Sequence, residues 1–268
     1  MWKMRLEPVE GRVAAAMITA ENLAAAFDEV APSYDLMVAL NPSYHAHLRS
    51  AADALVEWLP KPAGPPPQVH LVDLGCGSGA STRAVQRAAG TAGLDFAIVG
   101  VDASAGMLEQ ARAKRWPTGV RFEAGPAEGI YWSRDLWGLG EKVHGAFAAY
   151  LFRNLADRDA VLAAVFDLLA DDGVLVVQEY SIAGSRRAQL IWTLACWLVI
   201  IPLGWLTSRR TRLYRYLWRS VRSFDSIQTF VDRLYRAGFT DVEVRTASGW
   251  QRGILHTFRA RKAASWRS

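Results

Sequence analysis

The chain has 268 residues, of which 51% are hydrophobic, and this length and composition fit one globular domain with an insertion. Its two cysteines, Cys76 and Cys196, supply neither a disulfide framework nor the spacing of a metal site, so we expect a reducing compartment and no bound metal. The net charge of +5 is local, because residues 186–222 hold eight arginines and no acid. This uneven distribution argues against nucleic acid as a partner.

The first predicted elements are helical. Leu23, Phe27 and Val30 recur at helical spacing, so we expect residues 18–59 to be helical. The proline-rich residues 60–67 then predict a surface connection that leads into a buried core.

A glycine-rich turn follows the first predicted strand. Residues 69–74 are mostly apolar, and Asp73–Gly79 reads D-x-G-x-G-x-G before a helix predicted from Ala80. Glycine adopts positive φ and lacks a side chain, so a ligand can approach the N–H groups at the start of that helix. A dinucleotide fingerprint, G-x-G-x-x-G, would need a glycine where Ala80 stands, which argues against a dinucleotide.

Strands and helices alternate through the rest of the core. Further strands are predicted at residues 97–102, 120–124, 143–150 and 173–181, with helices at 157–169 and 227–237 and a final strand pair after residue 237. This pattern predicts an α/β fold with a doubly wound, mostly parallel sheet and ligand sites at the carboxyl ends of its strands. Asp102 ends the second strand, where a carboxylate can accept hydrogen bonds from ribose hydroxyls.

Four motifs together resemble a known enzyme family. Asp73–Gly79 resembles motif I of the class I S-adenosylmethionine (SAM) methyltransferases, and Val101–Leu108 resembles their V-D-x-S-x-x-M-L segment. Phe27–Asp35 resembles the F-D-x-x-A-x-x-Y-D segment that precedes motif I in many of them. Ala149–Asp157 is similar to the S-F-G-L-R-N-x-x-D signature of the ubiquinone/menaquinone biosynthesis C-methyltransferases. The resemblance covers roughly residues 25–262 and implies a Rossmann-like seven-stranded sheet with an antiparallel last strand, plus a helical cap.

The resemblance implies SAM as the methyl donor. The glycine turn would wrap the methionine moiety, with Asp73 near the α-amino group and Ser78 near the carboxylate, while Asp102 would hold the ribose. Pro126 stands where the family usually has an aspartate for the adenine amino group, and proline offers neither a carboxylate nor an N–H. The implied cofactor-binding residues are Tyr34, Asp73, Gly75, Cys76, Gly77, Ser78, Asp102, Ala103, Met107, Pro126, Ala127 and Ala149.

Arg153 is the first catalytic candidate on this resemblance. Methylation of a hydroquinone ring carbon requires loss of a phenolic proton, and a cation stabilises the phenolate. Arginine stays protonated, so we expect Arg153 to stabilise this oxyanion or orient a water. A purely structural role in its loop stays open. The other candidates are Tyr150, Tyr180, His45 and His47, although a lone histidine is more often structural.

An apolar and basic stretch interrupts the core. Residues 190–206 are 17 apolar or small residues with three tryptophans, and six arginines interleaved with aromatic residues follow at 209–222. A bilayer span needs about 20 apolar residues. We therefore favour a cap that exposes apolar surface to a membrane and sets arginines near anionic headgroups, over a buried cap helix or a true span. RNA binding would explain the arginines and aromatic residues but not the apolar run.

These features predict four regions, which are a helical N-terminal part of the cap (1–60), a SAM-binding core (61–182), the apolar and basic cap (183–225) and the last helix and strands of the core (226–268). We expect a SAM-dependent methyltransferase of a lipophilic acceptor, with ring C-methylation of a prenylated hydroquinone such as demethylmenaquinol favoured. An O- or N-methyltransferase of another lipophilic small molecule is one alternative. A non-catalytic, membrane-associated SAM-binding protein is the other.

The expected location is the cytoplasm, at the inner face of the membrane. Lys3 and Arg5 are followed by Glu7 and Glu10, which interrupt the pattern of a signal peptide. Residues 190–222 would make a peripheral membrane contact. The sequence does not decide between a monomer and a homodimer.

Overall fold

The structure is a computed structural model that describes residues 22–39, 41, 43–60, 68–129, 142–208 and 211–264. Several sequence expectations therefore lie outside the described residues. They are the charge pattern of residues 3–10, the predicted helix start at 18–21, the proline-rich residues 61–67, and Arg209 and Arg210.

One seven-stranded sheet forms the centre of the fold. Its strands are β1 (Val69–Leu74), β2 (Phe96–Asp102), β3 (Val120–Ala124), β4 (Val143–Ala149), β5 (Leu169–Tyr180), β6 (Thr240–Thr246) and β7 (Leu255–Arg261). The spatial order is β3-β2-β1-β4-β5-β7-β6, and β7 runs in the opposite direction to the other six strands. This confirms the predicted doubly wound, mostly parallel sheet with an antiparallel last strand.

Helices cover both faces of this sheet. They are α1 (Leu23–Asp28), α2 (Ala31–Ala39), α3 (Tyr44–Trp58), α4 (Ala80–Thr91), α5 (Ala105–Arg112), α6 (Arg158–Leu168), α7 (Arg186–Ala195), α8 (Ile201–Ser208), α9 (Arg212–Arg222) and α10 (Ile227–Arg236). Leu71 packs with α3 and α4 on one face, whereas Val72 and Leu74 pack with α6 and α10 on the other. Burial on both faces explains why the central strands read as apolar runs.

The predicted helical region 18–59 contains three separate helices among its described residues. Pro32 lies in the first turn of α2, where its missing N–H would have no helical partner. The chain therefore restarts a helix at Ala31 after α1 ends. Residues of all three helices contribute to the site described below.

The apolar run folds into one long helical stretch of the cap. A π-helical segment, Cys196–Ile200, joins α7 to α8. The buried side of the stretch packs on α9, and Gly204 lies so close to the Tyr214 ring that a Cβ there would be 2.2 Å from it. By length and composition alone Arg186–Leu206 could cross a membrane, and 22% of its most apolar window is buried. The apolar side chains left exposed are Leu190, Leu194, Trp197, Leu198, Val199, Trp205 and Leu206.

Candidate active site

Two cavities meet at the carboxyl edge of the sheet. The first, which we call the loop cavity, lies among the loops that follow β1, β2, β3 and β4. The second, the cap cavity, has a volume of about 390 Å³ and lies between the sheet edge and the cap helices. The residues that line both are Tyr34, Tyr44, Tyr150 and Arg153.

The glycine turn between β1 and α4 shapes the loop cavity. Gly75, Gly77 and Gly79 have φ values of +66°, +53° and +88°. Other residues rarely adopt this left-handed conformation, which explains the three glycines. The turn brings the Gly77 N–H within 2.7 Å of Asp102 Oδ2, where it donates a hydrogen bond.

The Asp102 carboxylate lies at the end of β2 and lines the loop cavity. Its Oδ1 accepts a hydrogen bond of 2.8 Å from the Ser104 N–H. Burial raises the pKa of Asp102, although the N–H donors of Ser104 and Gly77 counteract this effect. Each carboxylate oxygen has two acceptor positions, so Asp102 can still accept hydrogen bonds from a ligand.

Eleven of the twelve residues predicted to bind SAM line the loop cavity, and Asp73 does not. Asp73 lies beneath the turn and is fully buried. Its Oδ2 accepts hydrogen bonds of 2.7 Å from Ser81 Oγ and 2.6 Å from Thr82 Oγ1. No described group donates to Oδ1. Burial raises the pKa of Asp73 to about 7, against the opposing effect of these two hydroxyl groups.

Two aspartates fasten residues 27–35 over the loop cavity. Asp28 Oδ1 accepts hydrogen bonds from Ser104 Oγ at 2.6 Å and from the Gly106 N–H at 2.8 Å. Asp35 accepts from Ser78 Oγ at 2.5 Å and pairs with Lys114 at 2.6 Å. The segment is therefore tied to the loops after both β1 and β2. No role was predicted for Asp28, although Asp28 is the first acid of the F-D-x-x-A-x-x-Y-D pattern.

A buried ion pair lies where the two cavities meet. Arg153 Nη1 donates to Glu179 Oε1 at 2.8 Å, and the Arg153 N–H donates to Oε2 at 3.2 Å. The side chains are 8% and 0% exposed. Burial lowers the pKa of Arg153, but the Glu179 carboxylate outweighs burial, so the net pKa is raised. No role was predicted for Glu179. The feature of the sequence that pointed to it was an acid near the end of a buried strand.

A continuous series of aromatic rings leads from the loop cavity into the cap cavity. Tyr44 stacks on Tyr150 at a centroid distance of 5.6 Å, and Tyr150 stacks on Tyr180 at 5.2 Å. Trp192 of the cap follows at 4.7 Å from Tyr180. Burial raises the pKa of Tyr150 well above its ordinary value and that of Tyr180 to about 12. Both phenols therefore keep their protons at neutral pH, so each can donate a hydrogen bond to a ligand.

The two histidine candidates lie away from both cavities. His45 follows Tyr44 on α3 and is exposed, with its ring edge-on to the Tyr44 ring at 5.3 Å. It lines a surface groove with Asp35 and Arg49 instead. His47 is buried, and its backbone carbonyl accepts from Gln178 Nε2. The structure thus brings Tyr150, Tyr180 and Arg153 together and leaves His45 and His47 out.

Comparison with known families identifies the class of protein. Residues 16–262 match the model of the ubiE/COQ5 methyltransferase family. The chain belongs to this family. It is accordingly a SAM-dependent methyltransferase.

Curated relatives span most of the chain. A demethylmenaquinone methyltransferase of Thermus thermophilus is 32% identical over 220 residues, which cover 80% of this chain and 91% of that protein. A 2-phytyl-1,4-naphtoquinone methyltransferase of Thermosynechococcus vestitus is 28% identical and covers 83% of this chain and 92% of its own. A ubiquinone/menaquinone biosynthesis C-methyltransferase UbiE of Bradyrhizobium diazoefficiens is 29% identical, with 83% and 85% covered.

Solved structures share the fold at low sequence identity. The [4+2]-cyclase SpnF has a TM-score of 0.62 at 14% identity and covers 93% of this chain and 98% of its own. Human N-acetylserotonin methyltransferase in complex with SAM has a TM-score of 0.56 at 17% identity, with 87% and 56% covered. A cyclase and a methyltransferase on one fold illustrate that the fold alone does not decide the reaction. Among the described residues, no group of three or more His, Cys, Asp or Glu could hold a metal ion.

The raised pKa of Asp73 predicts a pH-dependent stability. Folding raises the pKa of Asp73 from near 4 in the unfolded chain to about 7. Such an acid contributes stability below pH 4, where it is protonated in both states, and this contribution to the free energy of unfolding is lost as the pH rises toward 7. Asp73→Asn removes the titration. Its free energy of unfolding, relative to the unaltered chain, should therefore increase by about 1.4 kcal/mol per pH unit between pH 5 and 6.5.

Urea unfolding at pH 5, 6, 7 and 8 measures this difference. Asp95→Asn, at the exposed amino end of β2, provides the matched control. A difference for Asp73→Asn that is constant over this range would mean that Asp73 is already ionised in the fold at pH 5.

Proposed function

We propose that this chain transfers the methyl group of SAM to a ring carbon of a prenylated hydroquinone of the demethylmenaquinol type. One observation carries the proposal, which is that a cavity suited to SAM adjoins an apolar cavity under the cap and that Arg153 lines both. The names of the relatives support a quinone-type acceptor. The cap cavity supports a lipophilic one, because its lining is largely aromatic and aliphatic.

The residues of the loop cavity fit SAM. Gly77 leaves space beside the backbone for the methionine moiety, because nothing lies within 4 Å of the position that a Cβ would take there. Asp102 offers acceptor positions for the ribose hydroxyls. Met107 is buried and provides an apolar wall for the adenine, opposite Pro126. Ala127 opens a 3₁₀ turn, so its N–H has no helical acceptor and can meet a ring nitrogen.

Asp73 supports this site from beneath. Its hydrogen bonds to Ser81 and Thr82 hold the first turn of α4 against β1, and this fixes the turn that would surround the methionine moiety. Asp73 would therefore affect the α-amino group of SAM through the loop and not by touching it. Ser78 is held by Asp35 on the other side of the turn.

Bound SAM supplies a methyl group that is already activated by the positive sulfur. The main contribution of the protein is then to position the acceptor, which can supply about 7–11 kcal/mol of the barrier. Arg153 would stabilise the phenolate form of the acceptor, because its charge is permanent and Glu179 fixes its orientation. Tyr150 keeps its proton and can donate to the same oxygen. The phenolic proton leaves to water, since no described histidine lines either cavity.

Transfer of labelled methyl from SAM into a membrane lipid extract, with and without dithionite, tests the proposal. We expect label in a quinone band only under reduction, because only the hydroquinone has a phenolic proton to lose. Label in a non-quinone lipid regardless of reductant would favour an O- or N-methyltransferase. Asp102→Asn should abolish transfer, with Asp95→Asn as the control. A chain that binds SAM and transfers no methyl to any lipid would favour the non-catalytic alternative.

Arg153→Gln tests the role of the cation. We expect the turnover number to fall about 100-fold, since one stabilising donor at an oxyanion is worth this much or more. Arg153→Lys keeps the charge but loses the Nη1 group that donates to both Glu179 and the Tyr150 carbonyl, so its activity should be intermediate. Arg236→Gln, at an exposed arginine of α10, is the matched control. Equal turnover numbers for Arg153→Gln and this control would leave Arg153 with a structural role only.

We also propose that the cap contacts the inner face of the cytoplasmic membrane as a peripheral surface. Large apolar side chains on α7, on the segment Cys196–Ile200 and on α8 are 46–70% exposed. The adjacent helix α9 carries Arg212, Arg215, Arg219 and Arg222 without an acid. Apolar groups beside arginines match the boundary between acyl chains and anionic headgroups. Val199 and Ile200 of the same stretch also line the cap cavity.

Flotation with phosphatidylcholine vesicles, with and without phosphatidylglycerol, tests this contact. Leu198 is 70% exposed, so Leu198→Glu should lower vesicle binding by about tenfold or more through loss of its apolar insertion. Tyr235→Glu changes an exposed apolar residue of α10 and should leave binding unchanged. Binding that is equal for both variants, or independent of phosphatidylglycerol, would contradict this surface.

A further inference from the structure

The cap cavity contains polar groups without partners, although most of its lining is apolar. Trp192 on α7 and Gln251 in the turn Gly249–Gln251 are 0% and 1% exposed. No described group accepts from Trp192 Nε1, and none donates to Gln251 Oε1. Buried polar atoms are rarely left unpaired, because they lose their hydrogen bonds to water. Both residues line the cap cavity, so a ligand there could supply the partners.

Tyr180 lies between these groups and Arg153. Its hydroxyl accepts from Gln251 Nε2 at 3.4 Å, and its own O–H remains available to donate. Trp192 and the Arg153 guanidinium lie 4.7 Å and 5.9 Å from the centroid of the Tyr180 ring. Arg153 and Trp192 are therefore both neighbours of Tyr180, and all three line the cavity that would hold a bound aromatic ring.

We propose that Tyr180, Trp192 and Gln251 form a subsite for a second phenolic hydroxyl of the acceptor, remote from the oxygen that Arg153 stabilises. The inference rests on the proposed function and specifies its substrate as a ring with two hydroxyl groups. The hydroxyl would accept from the N–H of Trp192 or the O–H of Tyr180. It would donate to Oε1 of Gln251, which a carbonyl oxygen cannot do. The subsite therefore selects the reduced acceptor over the oxidised one.

Three probe phenols separate these contacts. 1,4-Dihydroxynaphthalene can donate and accept at the subsite, 4-methoxy-1-naphthol can only accept there, and 1-naphthol has no second oxygen. We expect affinities for the unaltered chain to fall in this order, with roughly a tenfold difference between the first and the last. Calorimetry in oxygen-free buffer with saturating S-adenosylhomocysteine measures binding without turnover.

Two variants test the assigned residues. Gln251→Leu removes the acceptor, so it should weaken the diol by roughly 3- to 10-fold and leave 1-naphthol unchanged. Trp192→Phe keeps a ring against Tyr180 but removes the N–H, and it should weaken both the diol and the methoxy compound. Val199→Ala is the control, because it changes only apolar lining and should weaken all three probes by the same factor.

Each outcome decides one of the two proposals. Equal affinity of the unaltered chain for 1-naphthol and the diol would overturn the subsite and leave the proposed function intact. The same would follow if Gln251→Leu weakened all three probes equally. A chain that binds S-adenosylhomocysteine and none of the phenols would overturn the proposed function itself. Thermal unfolding shows whether each variant folds. If a variant does not fold, the order of the three probe affinities for the unaltered chain decides whether the subsite exists.

Discussion

The buried ion pair between Arg153 and Glu179 lies where the two cavities meet, and it fixes the structure there. Two charged side chains that are buried away from water are stable only when they pair with each other and are well hydrogen-bonded. Glu179 meets this condition, because it accepts from the Arg153 side chain, the Arg153 N–H and the Tyr180 N–H. Arg153 in turn donates to the backbone carbonyl of Tyr150. The pair thus fixes the tyrosines that form the wall between the cavities, and both cavity shapes depend on it.

The two cavities differ in the physical chemistry of their walls. Asp28, Asp35 and Asp102 hold the loop cavity through short polar contacts, in keeping with a charged, water-soluble ligand. Aromatic rings and aliphatic side chains of the cap form most of the other cavity. The proposed reaction, between a polar methyl donor and a lipophilic acceptor, would use such a division. The cation of Arg153 lies where the cavities meet, and in that proposal it would face the negative charge that develops on the acceptor.

The sequence allowed the fold and most of the loop cavity to be predicted, because both depend on local patterns. A few consecutive residues are enough to recognise an apolar run, the glycines at 75, 77 and 79, or the acid Asp102 at the end of a strand. The partners of Asp28 and Glu179 were not predictable, since each lies far away in sequence and is reached only through the fold. The case of His45 is different. Its neighbour Tyr44 lines both cavities, but the next position on a helix points about 100° away. Leu48, Ala51 and Leu55 continue the Tyr44 side of α3 at helical spacing, so the apolar pattern of this helix was enough to place His45 off the inward side.

Helix α2 belongs to both sites at once. Asp35 ties it to the glycine turn, Tyr34 lines both cavities, and Val38 lines the cap cavity, where α2 packs on α8. A ligand in either cavity would therefore lie against the same helix. Any effect that the two ligands have on each other through this helix is reciprocal, so each would change the affinity for the other by the same factor. The element that would couple the two cavities is a nine-residue helix, and its Tyr34 is the residue that lines both.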